Sequence, residues 1–242
     1  MVINATTYRA MLVSAANALK NSKEVINDLN VFPVPDGDTG DNLALTMSGV
    51  EKIAEYDSVG DCAQNAASAI LRCARGNSGA ILSLFFRGFS KAFKEKECAD
   101  AESIALAFKY GAEEAYKAVS NPAEGTILTV MRVCAEEAAE FSQQCDGDLE
   151  LLFVDIAKVA KKTTDKTPEM MPLLKQAKVV DAGGFGFTVA VNGMLSALQG
   201  NPIESKEGVE LLSKASFDIF NTEDIKFAYC TECIVEKSCC RR

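Results

Sequence analysis

The 242-residue chain contains no histidine. That removes the usual general base near neutral pH and the commonest zinc ligand, so Ser-His and Cys-His catalysis are excluded within this chain. Positive charge is also scarce: 25 Lys and Arg stand against 34 Asp and Glu, a net charge of −9. An acidic surface attracts neither nucleic acid nor an anionic membrane. No run approaches the ~20 apolar residues that span a bilayer. The stretch AMLVSAANAL after Arg9 is interrupted at helical spacing by Ser14, Asn17 and Lys20, and reads as an amphipathic helix rather than a signal segment. Nine cysteines, an odd number in a chain with no secretory signal, suit a reducing cytosol better than a disulfide framework. A cytoplasmic location is expected. Strand patterns are absent before about residue 226.

What is present is helical periodicity. With 48% apolar residues the chain can bury a sizeable core. After the first helix, Leu43, Met47, Val50 and Ile53 share a face, with Thr39 or Asp41 placed to cap its start. Segments 61 to 74, 78 to 94, 101 to 119, 126 to 143 and 148 to 164 follow at a period near 3.6 with short polar joints. A short helix is expected from Pro168 to Lys178, with Pro168 in its first turn, and a last one from about Gly184 to Leu198. The expected fold is all-α, about eight helices over residues 1–200, too many for a four-helix bundle. Residues 201–224, opening with NPIESKEG, read as a linker. Residues 225 to 235 alternate enough to suggest a strand. Cys230, Cys233, Cys239 and Cys240 sit within eleven residues at the end of the sequence, but zinc sites usually pair two well-separated ligand turns, and zinc is not assigned.

The chemistry concentrates in NVFPVPDGDTGDN, Asn30 to Asn42. Pro33 and Pro35 stiffen the approach to Asp36 and Asp38, and Gly37 and Gly40 let the backbone turn beside them. The plain reading is an acidic turn that caps a helix. An EF-hand loop from Asp36 would need Gly sixth and Glu twelfth, where Asp41 and Met47 stand. An aspartate nucleophile at the end of a buried strand is opposed by the two prolines. A magnesium and polyphosphate site remains, since magnesium takes one or two carboxylates plus phosphate oxygens.

Three further glycine-containing joints precede helices: Gly76, Asn77, Ser78 and Gly79 in RGNSGA, Gly125 and Thr126 in AEGTIL, and Asp181, Gly183 and Gly184 in VVDAGGFG. A helix start offers free N–H groups and a positive dipole end to phosphate oxygens. Singly, each joint reads as an ordinary cap; as a set with the DGD loop, they would converge if the helices form a ring.

Together these segments resemble the nucleotide-binding domain shared by the L subunit of dihydroxyacetone kinase and fatty acid kinase A. NVFPVPDGDTGDN, ARGNSGAILSLFFRGF, EGTILTVMR and KTPEMMPLLKQAKVVDAGGFG are similar to signature segments of the fatty acid kinase type, and NTEDIKFAYCTE to the junction into its middle domain. The resemblance implies a barrel of about eight antiparallel helices with ATP or ADP and magnesium at one end, and it makes residues 225–242 the start of a middle domain. It implies Asp36 and Asp38 as metal ligands. Asn30 lies near a third acidic ligand of the dihydroxyacetone kinase pattern, with Asn for Asp and one extra residue in the loop. Thr39, Gly40, Asp41, Asn42, Asn77, Ser78 and Gly79 fall on phosphate-side segments, Gly125 and Thr126 on a further nucleotide contact, and Asp181, Ala182 and Gly183 on the segment near the nucleoside. The implied activity is transfer of phosphate from ATP to a fatty acid carried by a partner binding protein, giving an acyl phosphate, with no turnover by this chain alone. A dihydroxyacetone kinase L-type subunit and a non-catalytic ADP-binding regulatory module are the alternatives. A homodimer stays open.

Overall fold

The computed structural model describes residues 2–206. The strand expected at 225–235, the middle-domain start, the linker beyond residue 206 and the four C-terminal cysteines lie outside the described residues. Within them the chain is all-α. Nine helices follow in order: α1 Ala5–Asp28, α2 Thr39–Met47, α3 Val59–Cys73, α4 Gly76–Ala92, α5 Ala101–Lys117, α6 Ile127–Phe141, α7 Leu149–Met170, α8 Pro172–Ala177 and α9 Ala182–Leu198. A 3-10 turn, Ser48–Lys52, continues α2. Among the described residues, β pairing is limited to one antiparallel bridge between Ile3 and Ala99.

The helices close a ring. α3 packs on α4, α4 on α5, α5 on α6 and α6 on α7, while α9 fills the gap between α7 and α1. The eight longer helices run antiparallel around a barrel, and α8 is a short insertion before α9. The helices turn apolar faces inward, α9 being apolar nearly all round, and all of them except α8 contribute to one main core. Phe85 sits at its centre, its ring 5.0 Å from that of Phe187 and 5.6 Å from that of Phe108, both edge-on. Fully burying such a ring contributes roughly 1.5–3 kcal/mol, and aromatic pairing adds to it. A second, smaller cluster forms where α8 meets the loop after α1: Val31, Met171 and Leu174, with Phe32, Ala123 and Leu173 against them.

Pro168 does not open a helix as expected. α7 runs through it to Met170, and the next helix starts at Pro172. Pro168 has no N–H for the carbonyl of Thr164 four residues earlier. The Thr167 hydroxyl donates to that carbonyl instead, at 2.7 Å, so the last turn of α7 survives the proline. Pro172 then takes the first-turn position where a proline costs nothing.

Caps divide the two ends of the barrel. α1, α3, α5 and α7 are each capped by the side chain of their own N-cap residue, Asn4, Ser58, Asp100 and Asp148. At the other end α2, α4 and α6 start without one, and only α9 has its own, Asp181. After α9 the chain does not leave as a free linker. Ile203 N–H donates to Ser14 Oγ and Lys206 N–H to Asn21 Oδ1, while Asn17 and Asn21 side chains donate to the carbonyls of Ile203 and Glu204. Residues 201–206 are thus a strap held along α1.

Candidate functional site

At the end of the barrel with the uncapped starts, the loop after α1 carries Asp36 and Asp38. Asp38 occupies the N-cap position of α2, yet its carboxylate makes no capping bond. Asn27, on the last turn of α1, supplies the cap from outside: its Oδ1 accepts from the N–H of Gly40 at 2.7 Å and of Asp41 at 3.2 Å. Neither Thr39 nor Asp41 caps this helix, a correction to the sequence expectation. α1 must come very close for this, and a Cβ on Gly40 would lie 2.0 Å from the carbonyl oxygen of Lys23. The plain reading, an acidic turn spent on capping, therefore fails for Asp38. Its side chain turns instead to the Asn42 amide and to Asp36.

Asp38 stands beside Asp36. Burial raises its carboxyl above the usual range against the pull of the Asn42 amide, and the neighbouring charges of Asp36 and Asp41 raise it further. Such like-charge crowding is what a bound cation relieves. Asp41 is otherwise engaged: Lys23 Nζ lies 2.9 Å from Oδ1 and Asn27 Nδ2 2.8 Å from Oδ2. Burial acts to raise its carboxyl, and these two donors outweigh that and hold it below the usual range. Asn30 is buried, with Nδ2 donating to Val34 O and Asp36 Oδ1, both at 2.8 Å, and Oδ1 accepting from the Thr39 hydroxyl. No three Asp, Glu, Cys or His side chains among the described residues come together as a ready metal site. A cation on Asp36 and Asp38 would need oxygens from elsewhere, as magnesium on a polyphosphate has.

Asn42 joins this loop to the next joint. Gly76, at φ +58°, lies so close that a Cβ there would be 2.4 Å from Asn42 Nδ2. Thr46, one turn on, accepts from Arg75 N–H at 3.1 Å while donating to Asn42 O. These contacts seat the start of α4 on α2. At α6, Gly125 N–H donates to Thr129 Oγ1 at 2.9 Å. Asp181 is buried, accepts from Gly184 N–H at 2.7 Å and also takes the Ile127 N–H; burial lifts its carboxyl to about 6 against those two donors.

The joints meet at one cavity of about 360 Å3, the size of a small-molecule site. Thr39, Asn77, Ser78, Thr126, Asp181 and Gly183 line its polar part. The rest of the lining is largely apolar, and apart from Pro33 the sequence did not point to it: Phe32, Ile81, Val119, Ala123 and Leu128. The Ser-Asn-Pro turn before AEGT was the signal for part of it. Asp36, Asp38 and Asn42 adjoin through Thr39 and the α4 start, without lining the cavity. Gly40 and Asp41 face α1, and Gly79, Gly125 and Ala182 are buried in the turns behind the wall. A second recess, about 460 Å3, lies against Ser48–Tyr56 and α3 and contains none of the expected site residues.

A barrel of antiparallel helices with this polar end is a known architecture. A solved dihydroxyacetone kinase from C. freundii, in complex with AMP-PNP and Mg2+, matches 79% of this chain and 33% of its own with a TM-score of 0.58 at 14% identity, so the fold is shared. The chain belongs to the DAK2 domain family, whose model matches residues 33–196. Uncharacterized proteins of Staphylococcus saprophyticus and Staphylococcus haemolyticus are 39% and 40% identical over 242 residues, and one of Staphylococcus aureus is 40% identical over 244. Each alignment covers 96% of this chain and 44% of the relative, so the chain spans less than half the length of those proteins.

Proposed function

We propose that this chain is the ATP- and magnesium-binding component of a kinase that transfers phosphate to a fatty acid presented by a partner binding protein. One observation carries the reading. Two neighbouring carboxylates, Asp36 and the non-capping Asp38, adjoin a cavity lined by the starts of α4 and α6, whose own N-cap residues make no side-chain cap. In an acidic protein, a polyanion is held where a divalent ion reverses the local sign.

Asp36 and Asp38 would hold the magnesium, which supplies charge neutralisation on the phosphates. The start of α4 at Asn77 and Ser78 and the positive end of α6, whose Gly125 and Ile127 N–H groups are taken by Thr129 and Asp181, would orient the remaining phosphate oxygens, and the apolar lining of Phe32, Ile81 and Val119 would receive the base. No side chain here attacks phosphorus. The acceptor comes from another protein, and the chain alone does not turn over.

The binding test is calorimetry of ADP with and without magnesium. Asp38→Ala should abolish the magnesium-dependent part while leaving helicity by circular dichroism intact; unchanged affinity would overturn the assignment. The acceptor is tested in a partner-supplemented reaction assayed for acyl phosphate against dihydroxyacetone phosphate. The fatty acid reading rests on the likeness of the four long segments, and appearance of the triose product alone would replace it with the dihydroxyacetone kinase type.

A further inference from the structure

Asn30 fixes more than the shape of its loop; it settles the direction of a proton. Its Nδ2 faces two groups that have no hydrogen to give, the carbonyl of Val34 and Oδ1 of Asp36, each at 2.8 Å. Both must accept, so the amide cannot be turned over. Its Oδ1 then faces Thr39, and an amide oxygen only accepts. The single hydroxyl proton of Thr39 is therefore committed to Asn30. Thr39 lines the cavity. With its proton spent, its oxygen offers only lone pairs there.

This bears on what that oxygen can touch. A threonine at a phosphate-binding turn ordinarily donates to a phosphate oxygen, and Thr39 has nothing left to donate. An acceptor-only oxygen one residue from Asp38 instead suits a hard cation. Asp36 is set by the same amide, which occupies Oδ1 and leaves Oδ2 unconstrained by it. We infer that Thr39 Oγ1 is a third protein oxygen for the cation held by Asp36 and Asp38, and that Asn30 is the positioning residue that orients both Thr39 and Asp36 without being a ligand. The inference rests on the magnesium reading above and refines it: among the described residues no third carboxylate clusters with these two as a metal site, and a hydroxyl takes that place.

The test titrates manganese(II) by electron paramagnetic resonance in the presence of ADP, and measures ADP affinity separately in metal-free buffer. Thr39→Ser keeps the hydroxyl and should keep manganese affinity within about twofold. Thr39→Val should weaken manganese binding by roughly tenfold or more, the range for losing a ligand or its orienting partner, with metal-free ADP affinity unchanged. Asn30→Asp should also weaken it, because the new carboxylate cannot donate to Asp36. If Asn30 were itself a ligand, Asn30→Asp would tighten manganese; that result overturns the inference. So does a Thr39→Val protein that loses ADP affinity equally in metal-free buffer, which is the mark of a phosphate donor. Thermal melting identifies any variant that fails to fold, and Thr39→Ser decides in that case: loss of manganese affinity in a folded Ser variant counts against the inference. Failure of the wild type to bind ADP with manganese sinks the magnesium reading instead, a separate outcome.

Discussion

Two asparagines, neither of them chemically reactive, decide what the acidic loop can do. Asn27 takes over the capping of α2 and so leaves the Asp38 carboxylate out of that role. Replacing a capping side chain with alanine costs about 1 kcal/mol. Asn27→Ala should lower the melting temperature accordingly, and it should also weaken magnesium-dependent ADP binding, because the Asp38 carboxylate then falls back into the vacant capping role. Calorimetry on the folded variant checks the second effect; a melting change with unaltered magnesium dependence would show that Asn27 matters for stability alone. The acidic loop itself was legible in the sequence, since the two prolines before DGD restrict the backbone strongly. The asparagines were not. Asn27 acts across thirteen residues on a neighbouring helix, and no local spacing encodes that contact.

Among the helices, α4 and α5 are tied by one buried carboxylate. Glu114 is 3% exposed in its side chain and meets Lys117 at 2.7 Å, Lys91 at 2.9 Å and the Arg87 guanidinium. Lys117, Lys91 and Arg87 hold its carboxyl down at about 2, against burial. Truncating the shared carboxylate leaves three cations facing one another, and Glu114→Ala should cost on the order of 2 kcal/mol, less than a fully buried pair because the cations are about half exposed. Chemical denaturation measures it. A different contact marks the strap. Asn21→Ala should abolish the protection of the Lys206 amide against hydrogen exchange while leaving that of Ile203, which Ser14 holds. Helix number and most boundaries were readable because amphipathic periodicity is a local signal. The strap was not: its composition is that of a linker, and its order comes from side chains about 185 residues earlier.

For the molecule as a whole, two buried carboxylates respond to pH with opposite sign. Glu114 has a folded pKa below its ordinary 4.5, so its stabilisation is full above that pH and is lost as pH falls towards about 2. Asp181 has a folded pKa raised from 3.8 to about 6, so the folded state holds its proton longer and stability declines as pH rises across that interval. Their joint contribution is greatest near pH 4 to 4.5. Melting temperature against pH should show the acid limb flattened in Glu114→Gln and the limb between about 4 and 6 flattened in Asp181→Asn; a slope unchanged in either variant would remove that residue from the account. Helical periodicity alone left the ring as a condition and the family resemblance supplied the barrel, because closure depends on α9 finding α1, an event between the two ends of the domain. Once closed, the ring gathers joints that are each unremarkable in isolation into one cavity.

α1 is a rod about 36 Å long at 1.5 Å per residue. Its middle is stitched to residues 203–206, and its last turns grip Gly40 and Asp41. A stiff helix transmits a tug along its axis with little slack, so tension on the polypeptide beyond Lys206 would arrive at the acidic loop within a couple of helical turns.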